Sequence, residues 1–442
     1  MVQSVPRLEL GILRGRQVIG GFDGGDISSD GGVLLLAEAE RRTGLIAGLA
    51  ATIADDRDPA KVRHSIEVML RQRIFAIACG YEDCNDFDEL RADPAFKLAV
   101  GRLPAGERDL ASQPTLSRFE NSIGRGELLA ISGVLLDQFV AGQEQAPTWV
   151  VLDFDATDDE THGQQQLSGF HGFYDEHCYL PLIVTARADG GPDELLAAVL
   201  RPGKSHASRR ALSVLKRIVA RLRASWPQVR ILLRADSGFA LPAIYDWCEE
   251  NGVWYLIGLA SNLCLQRLAE PHLVAAREDH AATGEKVRRL YDVGYAAGSW
   301  ARLRRVLIKA EVSAQGDNPR YVVTSLGGDP LLLYDLYARR GEMENRIKEL
   351  KCDLAMDRTS CHRFLANQFR LLLHAAAFVL LSVVRGCLAG TELARAQVGT
   401  LRCKLLKLGV LVRQTCRKVW LAFASSCPVQ HLWPLVLTRL RA

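Results

Sequence analysis

The stretch from Pro147 to about Ala260 alternates apolar runs with amphipathic segments, and this alternation constrains the fold more than any other feature of the chain. TWVVLDFDAT, CYLPLIVTAR, VRILLRADSGF and VWYLIGLA have the β-branched and apolar residues of buried strands. HASRRALSVLKRIVARLRASW and LPAIYDWCEENG lie among them and have helical periodicity. Strands that alternate with helices predict an α/β layer with at least part of its sheet parallel.

The regions on either side of this layer have different patterns. GGVLLLAEAERR and HSIEVMLRQRIFAIACG predict helices in the N-terminal region, and SQPTLSRFEN is compatible with a short helix entered through a turn. KVRRLYDVGY, WARLRRVLIKAEV and RYVVTSL alternate like strands and indicate a β-rich insertion. The predicted regions are a helical N-terminal region (1–145), a core in two parts (146–260 and 330–386), the insertion (261–329) and a basic C-terminal region (387–442).

The distribution of charge indicates a polyanionic partner. The whole chain has a net charge of +4, yet residues 387–442 hold nine lysines or arginines and a single acid, Glu392. A basic tail beside a net acidic remainder suits binding to a polyanion, although a solvated surface explains the tail alone about as well.

The sequence also indicates the cellular compartment. The eleven cysteines form no Cys-x-x-Cys pair, and the N-terminus has no apolar segment of signal length. The longest apolar run, Leu371–Val384, is shorter than the roughly twenty residues that span a bilayer, and it predicts a buried helix. We therefore expect a cytoplasmic protein with no membrane partner.

Two acids follow predicted core strands. Asp155 ends the strand predicted in TWVVLDFDAT, and Asp236 follows VRILLRA. Each acid alone is more often a turn or cap residue, but a charge after a long apolar run is costly unless it is paired or metal-bound. Asp153 lies on the same strand face as Asp155, so it is an alternative ligand, a supporting acid or a partner of Arg234. We prefer Asp155 because its Asp-x-Thr context marks the strand's exit, and we interpret the acids of 158–160 as a solvated turn.

A third acid lies in YARRGEMENRIKELK. Tyr337, Arg340, Glu344 and Lys351 have the spacing Tyr-x2-Arg-x3-Glu-x6-Lys in this segment. On one continuous helix, steps of three, four and seven keep these side chains near one face, which Lys348 shares. One carboxylate ringed by cations and a phenol suits a surface that binds a metal ion beside a polyanion. An exposed helix with alternating charges is the alternative explanation of the segment alone.

The chain order of strand Asp, strand Asp and helix Glu, together with the Tyr-Arg-Glu-Lys spacing, resembles the DDE transposases of bacterial insertion sequences. GGVLLLAEAERR, GYEDCNDFDELRADPAF, LASQPTLSRFEN, LDFDATDD and RADSGF resemble one branch, the insertion-sequence group numbered thirteen-eighty. The resemblance implies a ribonuclease-H-like catalytic core, interrupted by a β-rich insertion and accompanied by a helical N-terminal domain. In that core the first Asp is on the first strand, the second follows the fourth strand, and the Glu is on a later helix.

The resemblance also implies that the helical N-terminal region (1–145) binds DNA, and it implies roles for individual residues. The catalytic residues and metal ligands would be Asp155, Asp236 and Glu344. The contacts to phosphates of the transposon end would be Tyr337, Arg340, Lys348 and Lys351. Trp300 is the candidate for stacking on a base flipped out of the DNA, and a core tryptophan on a strand is the alternative for this residue.

The implied reaction is Mg²⁺-dependent cleavage at transposon ends followed by strand transfer into target DNA, with two Mg²⁺ ions or Mn²⁺ in their place. The implied partners are double-stranded DNA, as terminal inverted repeats and as target, and a second copy of the chain in a homodimer on DNA. The expected location is the bacterial cytoplasm, in association with the nucleoid. Two alternatives stay open: a nuclease of the same fold that does not join DNA, and a catalytically inactive DNA-binding protein.

Overall fold

The computed structural model describes residues 7–442, which form two compact units. The first unit consists of the chain up to Ser122 together with Asp353–Ala355 and Ala376–Ala442. The second unit consists of Ile123–Cys352 and Met356–Ala375. Each unit therefore joins segments that are distant along the chain.

The N-terminal part of the first unit is mainly helical. Its elements are β1 (Leu8–Leu13), β2 (Arg16–Gly20), β3 (Ile27–Ser28), α1 (Val33–Thr43), α2 (Leu45–Ala51), α3 (Ile66–Cys79), α4 (Phe87–Leu90), α5 (Pro94–Ala99) and α6 (Gln113–Ser122), with a 3₁₀ turn at Pro59–Lys61. The helices expected from GGVLLLAEAERR, HSIEVMLRQRIFAIACG and SQPTLSRFEN are present, and the antiparallel hairpin β1–β2 was not expected.

A buried ion pair connects α3 with α6. Arg73 Nε donates to Glu120 Oε1 at 2.7 Å, and both side chains are almost completely buried. The guanidinium also donates to the backbone carbonyl of Glu82 at 2.8 Å. A buried arginine is tolerated when its donors are paired in this way, so the contact fixes the two helices relative to one another.

The second unit is built around one large mixed sheet. Its elements are α7 (Arg125–Ala141), β4 (Trp149–Ala156), β5 (Asp159–Glu160), β6 (Gly169–His171), β7 (Glu176–Tyr179), β8 (Leu182–Ala188), β9 (Glu194–Val199), α8 (Ala211–Ser225), β10 (Arg230–Ala235), α9 (Pro242–Glu250), β11 (Trp254–Leu259), α10 (Leu263–Thr283), β12 (Val287–Tyr295), β13 (Arg304–Ser313), β14 (Gly316–Asp317), β15 (Arg320–Thr324), α11 (Pro330–Ala338), α12 (Gly341–Lys348) and α13 (Phe364–Gly386), whose last turns belong to the first unit. The predicted α/β alternation between Trp149 and Leu259 is confirmed.

The strand order of the sheet is β12-β13-β15-β11-β10-β4-β8-β9, with β14 paired to β13. Strand β10 is parallel to both of its neighbours, β4 and β11, and the other pairs are antiparallel. A separate three-stranded sheet has the order β5-β7-β6. The parallel trio lies in the middle of the large sheet, where both faces are covered.

The two faces of the large sheet pack against different helices. Val150, Leu152 and Phe154 of β4 belong to a large apolar cluster that includes residues of α7, α8, α9 and α10. A smaller cluster on the opposite face includes Leu333 and Tyr334 of α11. Because side chains alternate along a strand, the odd-numbered positions of β4 face the α11 side of the sheet.

Residues 261–329 differ from the expected β-rich insertion. The segment begins with the 21-residue helix α10, and β12, β13 and β15 extend the main sheet through the antiparallel pair β11–β15. The Asn262 side chain accepts a hydrogen bond from the Leu265 N–H at 3.0 Å and so caps the helix. Pro271 lies inside the helix, and an internal proline masks helical periodicity in a sequence.

The C-terminal elements are α14 (Val398–Leu401), a π-helical turn (Arg402–Leu406), β16 (Val410–Gln414), β17 (Val419–Phe423) and α15 (Leu432–Arg441). The strands considered for this region are present as β16 and β17, and β16 also pairs with β3. Across residues 7–442, α13 is the one helix with the length and composition of a membrane span. However, 72% of its apolar window is buried inside the protein, which fits the predicted buried helix.

Candidate active site

Strands β4 and β10 place two acids at one edge of the main sheet. The parallel register pairs Phe154 with Ala235, so the next residues along the two strands are Asp155 and Asp236. Asp155 is 8% exposed. Asp236 begins a 3₁₀ turn, and its Oδ1 accepts a hydrogen bond from the Gly238 N–H at 2.9 Å. Neighbouring parallel strands thus bring together two acids that lie far apart in the sequence.

Asp153 has a different partner from Asp155. Arg234 Nε and Nη2 donate to the two carboxylate oxygens of Asp153 at 2.7 and 2.5 Å, and each residue is 2% exposed. Arg234 Nη1 also donates to the Leu336 carbonyl at 2.7 Å, which connects β10 to α11. Of the alternatives for Asp153, the structure therefore has the pairing with Arg234.

The spacing of Tyr337, Arg340, Glu344 and Lys351 suggested one continuous helix. The segment that carries the third acid is instead broken into separate turns of helix. Helix α11 ends at Ala338, α12 begins at Gly341, and a π-helical turn covers Glu349–Asp353. At the junction the backbone N–H groups of Arg340 and Met343 bond to carbonyls three residues back, which tightens the chain. Glycine favours such a break because it is a poor helix former.

Arg340 reaches the acid at the end of β4. Its Nη1 donates to Asp155 Oδ2 at 3.1 Å. Burial raises the pKa of Asp155 to about 6; the Arg340 charge opposes this rise, and the negative charges of Asp236 and Glu344 add to it. The charges of Asp236 and Glu344 therefore both act on Asp155.

Tyr337 lies against a close backbone contact. A Cβ atom at Gly258 of β11 would be 2.7 Å from the Tyr337 hydroxyl oxygen and 2.9 Å from the Ser237 amide nitrogen. Burial raises the pKa of Tyr337, and the neighbouring Arg340 guanidinium opposes the rise. Because residue 258 is a glycine, both the Tyr337 side chain and the turn that begins at Asp236 can pack against its backbone. Gly258 could not be recognised from the sequence, because nothing in VWYLIGLA marks a position of close approach.

The two lysines of the segment differ in their surroundings. Lys351 Nζ donates to Asp158 Oδ2 at 2.8 Å, and this pairing lowers the pKa of Asp158 although burial alone would raise it. Lys348 is exposed and makes no ion pair among residues 7–442. Glu344 is exposed as well.

The acids that follow β4 are not a solvated turn, and that prediction was wrong for two of the three. Asp158 is paired with Lys351, and Asp159 is 1% exposed. Both oxygens of Asp159 accept from the Thr359 hydroxyl, at 2.9 and 3.0 Å, and burial raises the pKa of this carboxyl well above its usual value. Only Glu160 of the group is exposed. The prediction failed because the partners, Lys351 and Thr359, lie 193 and 200 residues further along the chain.

Trp300 lies in the connection between β12 and β13, not on a strand. Its ring makes edge contacts with Tyr245 and Tyr295, each with 5.4 Å between centroids. The Arg304 guanidinium lies 5.4 Å from the centroid, and Trp300 packs against the large apolar cluster. These contacts match the core alternative, although the residue lies on a turn.

Another aromatic residue, Tyr174, lies closer to the acids and was missed by the sequence analysis. Burial raises the pKa of Tyr174 to about 12, and the charges of Asp158, Asp155 and Asp236 contribute to the rise. Three aromatic residues within GFHGFYDEH were a visible signal, but the acids near them become evident only in the folded chain.

The described part of the chain holds no group of three or more His, Cys, Asp or Glu side chains arranged closely enough to form a metal site. The chemistry of the acids nevertheless fits a hard divalent cation, which takes carboxylate oxygens as ligands. Asp155 is buried, and the negative charges of Asp236 and Glu344 repel its ionised carboxylate and add to the rise in its pKa. A cation at this position would relieve that repulsion.

A comparison with protein families identifies the family of the chain. The model of a family described as the transposase DDE domain, group 1, matches residues 10–442. No curated protein matches the chain. Among solved structures, the chain is similar to a cryo-EM structure of the piggyBac transposase synaptic complex with hairpin DNA, with a TM-score of 0.45 and 10% identity. That similarity covers 84% of this chain and 78% of the other.

The close approach at Gly258 generates a prediction about stability. Gly258→Ala should lower the free energy of unfolding by about 1–3 kcal/mol, because the added methyl group overlaps Tyr337 and the backbone of Ser237. Urea denaturation measures the change.

The matched control is Gly133→Ala in α7, where an added Cβ meets nothing within 4 Å. This change should be neutral or stabilise the protein by up to about 1 kcal/mol, because alanine is the better helix former. Equal effects of the two substitutions would contradict the prediction.

Proposed function

The chain belongs to the DDE transposase family, whose domain model matches residues 10–442, and from this premise we propose that it cuts DNA at transposon ends and joins the cut strand to target DNA. The observation that carries the proposal is the parallel register of β4 and β10, which puts the buried Asp155 beside Asp236, and the charge of Glu344 also acts on Asp155. In the first step water would hydrolyse a phosphodiester and release a 3′-hydroxyl. In the second step that hydroxyl would attack a target phosphodiester and displace its 3′ oxygen.

We further propose that the strands β9-β8-β4-β10-β11 are the ribonuclease-H-like core. In the main sheet β4 is the first strand along the chain, and β8 and β9 follow it antiparallel. Strand β10, the fourth, pairs with β4 in parallel. Asp155 on the first strand, Asp236 after the fourth and Glu344 on a later helix support this assignment. The Tyr-Arg-Glu-Lys spacing supports membership of the insertion-sequence group numbered thirteen-eighty.

Asp155, Asp236 and Glu344 would hold the divalent cations that the proposed reaction needs, Mg²⁺ or Mn²⁺. Such ions would activate the attacking oxygen and offset the charge on the leaving oxygen. Asp155 must lose its proton to serve as a ligand, and its contact with Arg340 favours the ionised form.

The cations and the phenol of the signature would position the DNA backbone. Arg340 is suited to a phosphate because a guanidinium can donate two parallel hydrogen bonds. Lys348 is exposed and has no acidic partner within the described chain, so it is open to a phosphate without rearrangement. Lys351 would have to leave Asp158 first. Tyr337 is packed against Gly258, and this contact would hold its hydroxyl in place beside Arg340.

A second surface suited to DNA lies in the first unit. We name it the cationic groove: a cavity of about 940 Å³ between the segment 57–64, the residues 91 and 108–110 and the start of α6. Its charged and polar lining consists of Arg57, Asp58, Lys61, Arg63, His64, Arg91, Arg108, Asp109, Ser112 and Thr115. The side chains of Arg63, Arg91 and Arg108 make no ion pair in the described chain, so their charges are available to a ligand.

Positive charges surround His64 in the groove. Burial, together with the charges of Arg102, Arg108, Arg57 and Arg63, lowers the pKa of His64 to about 4. His64 is therefore neutral at pH 7. A bound polyanion would relieve the repulsion among the arginines. Phosphate contacts of this kind position a duplex without reading its sequence. We propose that the groove holds the backbone of the inverted repeat and that two copies of the chain act together on two ends.

The proposed chemistry makes a direct prediction. Asp155→Asn, Asp236→Asn and Glu344→Gln should each abolish cleavage at the transposon end and leave the protein able to bind that DNA, because each removes a carboxylate ligand and none removes a cation that contacts phosphate. Cleavage and strand transfer are measured on a duplex that carries the inverted repeat flanking the gene, with Mg²⁺ present or removed by chelation.

Glu342→Gln, which changes a neighbouring exposed glutamate of α12 in the same way, is the matched control and should remain active. Full activity in any of the three variants would remove that residue from the site. Cleavage without joining of pre-cut ends would identify a nuclease, and binding without cleavage would identify an inactive DNA-binding protein.

The electrostatics of Asp155 can be measured without activity. In the metal-free protein the carboxyl of Asp155 should titrate near pH 6 by carbon NMR, and its resonance is assigned with Asp155→Asn. Asp236→Asn and Glu344→Gln should each lower this pKa because a negative charge is lost, while Arg340→Gln should raise it. Mg²⁺ should lower it in the wild-type protein.

The sign of the linkage follows from the same pKa. An isolated aspartate has a pKa of about 3.9. Between about pH 4 and 6 the folded protein therefore binds more protons than the unfolded chain. The contribution of Asp155 thus lowers the free energy of unfolding as pH rises through that window. An Asp155 pKa near 4 that none of the variants changes would show that the acids are not coupled.

The cationic groove predicts a specific dependence on salt. The double substitution Arg63→Gln with Arg108→Gln should weaken DNA binding, and it should lower the slope of log affinity against log salt concentration by about 2, one for each lost phosphate contact. Fluorescence anisotropy with the same duplex measures both quantities.

Arg267→Gln, at an exposed position of α10 outside the groove, is the control for a single lost charge and should change the slope little. A slope that is the same in the wild type and the double variant would exclude the groove from the DNA interface. A rise in the pKa of His64 when DNA binds would be independent support.

A further inference from the structure

Arg201, which follows β9 in the second unit, is a completely buried cation without an acidic partner. Its side chain is 0% exposed, and it makes no ion pair among residues 7–442. Burial, together with the charge of Arg209, lowers the pKa of Arg201 to about 10, so the guanidinium is still charged at pH 7. A charge in the protein interior is costly unless its donors are paired, so these donors need partners of another kind.

The donors of Arg201 bond to backbone carbonyls in two separate segments. In the first segment, Nε donates to the Leu180 carbonyl at 2.6 Å and Nη2 donates to the Pro181 carbonyl at 3.3 Å. In the second segment, Nη1 donates to the carbonyls of Ala207 and Arg209, the latter at 3.2 Å. The donors of a guanidinium point in fixed directions, so they hold their acceptors in fixed positions. The side chain therefore connects the chain before β8 with the loop before α8.

The first of these segments also holds the chain that follows Asp155. The Pro181 carbonyl accepts a second hydrogen bond, from the Thr157 N–H at 3.1 Å. The antiparallel register of β4 and β8 pairs Asp155 with Ile183, two residues after Pro181. A shift of the Pro181 carbonyl would therefore move the end of β4.

The second segment packs against the turn that begins at Asp236. A Cβ atom at Gly238 would lie 2.7 Å from the Ala207 Cβ, and the Gly238 N–H donates to Asp236 Oδ1 at 2.9 Å. Arg210, at the end of the loop, has a φ of 65°, a conformation that residues other than glycine rarely adopt. The loop therefore needs support from outside, and Arg201 supplies it through the Ala207 carbonyl.

The sheet by itself does not fix the separation of the two acids. The parallel pairing of β4 with β10 ends at Phe154 and Ala235, one residue before each acid. The pairing decides which residues leave the two strands side by side. How far apart Asp155 and Asp236 then lie depends on what the two strand ends contact.

We propose that Arg201 is a positioning residue, which fixes the separation of Asp155 and Asp236 by tying the chain beside each acid to one buried guanidinium. The inference rests on the proposed function, and it adds to that function a residue that bonds to neither acid. A divalent ion such as Mg²⁺ accepts ligands only in a narrow range of geometries. A change in the separation of the acids would therefore lower metal affinity more than DNA affinity.

The test measures metal binding and not activity alone. The full chain is bound to a duplex that carries the inverted repeat flanking the gene, and Mn²⁺ is titrated by electron paramagnetic resonance. Asp236→Asn, which removes a ligand, shows how much Mn²⁺ binds elsewhere, including to the DNA. Arg201→Lys keeps the charge but loses the planar fork, and it should raise the half-saturating Mn²⁺ concentration by about 10- to 100-fold. Its affinity for the duplex without metal should stay near that of the wild type.

Arg73→Lys is the matched control. Arg73 is buried to the same extent, but it lies in the first unit and pairs with Glu120. Arg73→Lys should lower the urea concentration of unfolding, as Arg201→Lys does, and should leave the half-saturating Mn²⁺ concentration unchanged. The control thus separates a loss of stability from a loss of positioning.

Ala207→Val tests the same connection without changing Arg201. Its larger side chain would press on Gly238, so this variant should also raise the half-saturating Mn²⁺ concentration. If Arg201→Lys does not fold, Ala207→Val decides the question, and a wild-type Mn²⁺ concentration in this variant would overturn the inference.

The outcomes separate this inference from the proposed function. A wild-type chain that binds Mn²⁺ and cuts the duplex, with the same half-saturating Mn²⁺ concentration in folded Arg201→Lys, would overturn the inference and leave the proposed function standing. A wild-type chain that binds no more Mn²⁺ than Asp236→Asn and does not cut the duplex would overturn both.

Discussion

The parallel pairing of β4 with β10 is the interaction on which the site depends. Its register puts Asp155 and Asp236 side by side where both strands leave the sheet. The buried ion pair between Asp153 and Arg234 lies two residues before these acids on the same two strands. Arg234 also donates a hydrogen bond to α11. Removing one member of such a pair would leave a buried charge without a partner, a cost of about 3–5 kcal/mol. That pair therefore fixes both the register and the helix that leads to Arg340.

The same geometry makes the site electrostatically unfavourable in the free protein. With a pKa of about 6, Asp155 costs about 3 kcal/mol more to ionise in the folded chain than in water. Arg340 offsets part of this cost, and Asp236 and Glu344 increase it. Functional sites commonly concentrate unfavourable interactions of this kind, because a bound ligand then relieves them.

Much of this arrangement could be predicted from the sequence, and the exceptions have physical reasons. Apolar runs that end in an acid identified β4, β10, Asp155 and Asp236, because burial and charge are both visible in the order of residues. The break between α11 and α12 depends on hydrogen bonds to carbonyls three residues back, which helical spacing does not encode.

Contacts between distant segments were also beyond the sequence. The pairing of Asp159 with Thr359 spans 200 residues, and the packing of Trp300 against Tyr245 joins elements that no local pattern relates.

The ion pairs of the free protein bear on how the proposed substrate would enter. Arg340 bonds to Asp155 and Lys351 bonds to Asp158, so two of the cations assigned to phosphates are already engaged with acids. DNA alone would have to break these pairs and leave the acids without a counter-charge, and a metal ion alone would have to displace Arg340 from Asp155. If both bind, Arg340 exchanges a carboxylate for a phosphate while Asp155 exchanges a guanidinium for a metal ion. Neither Arg340 nor Asp155 is then left without a partner of opposite charge, so each ligand should favour the binding of the other.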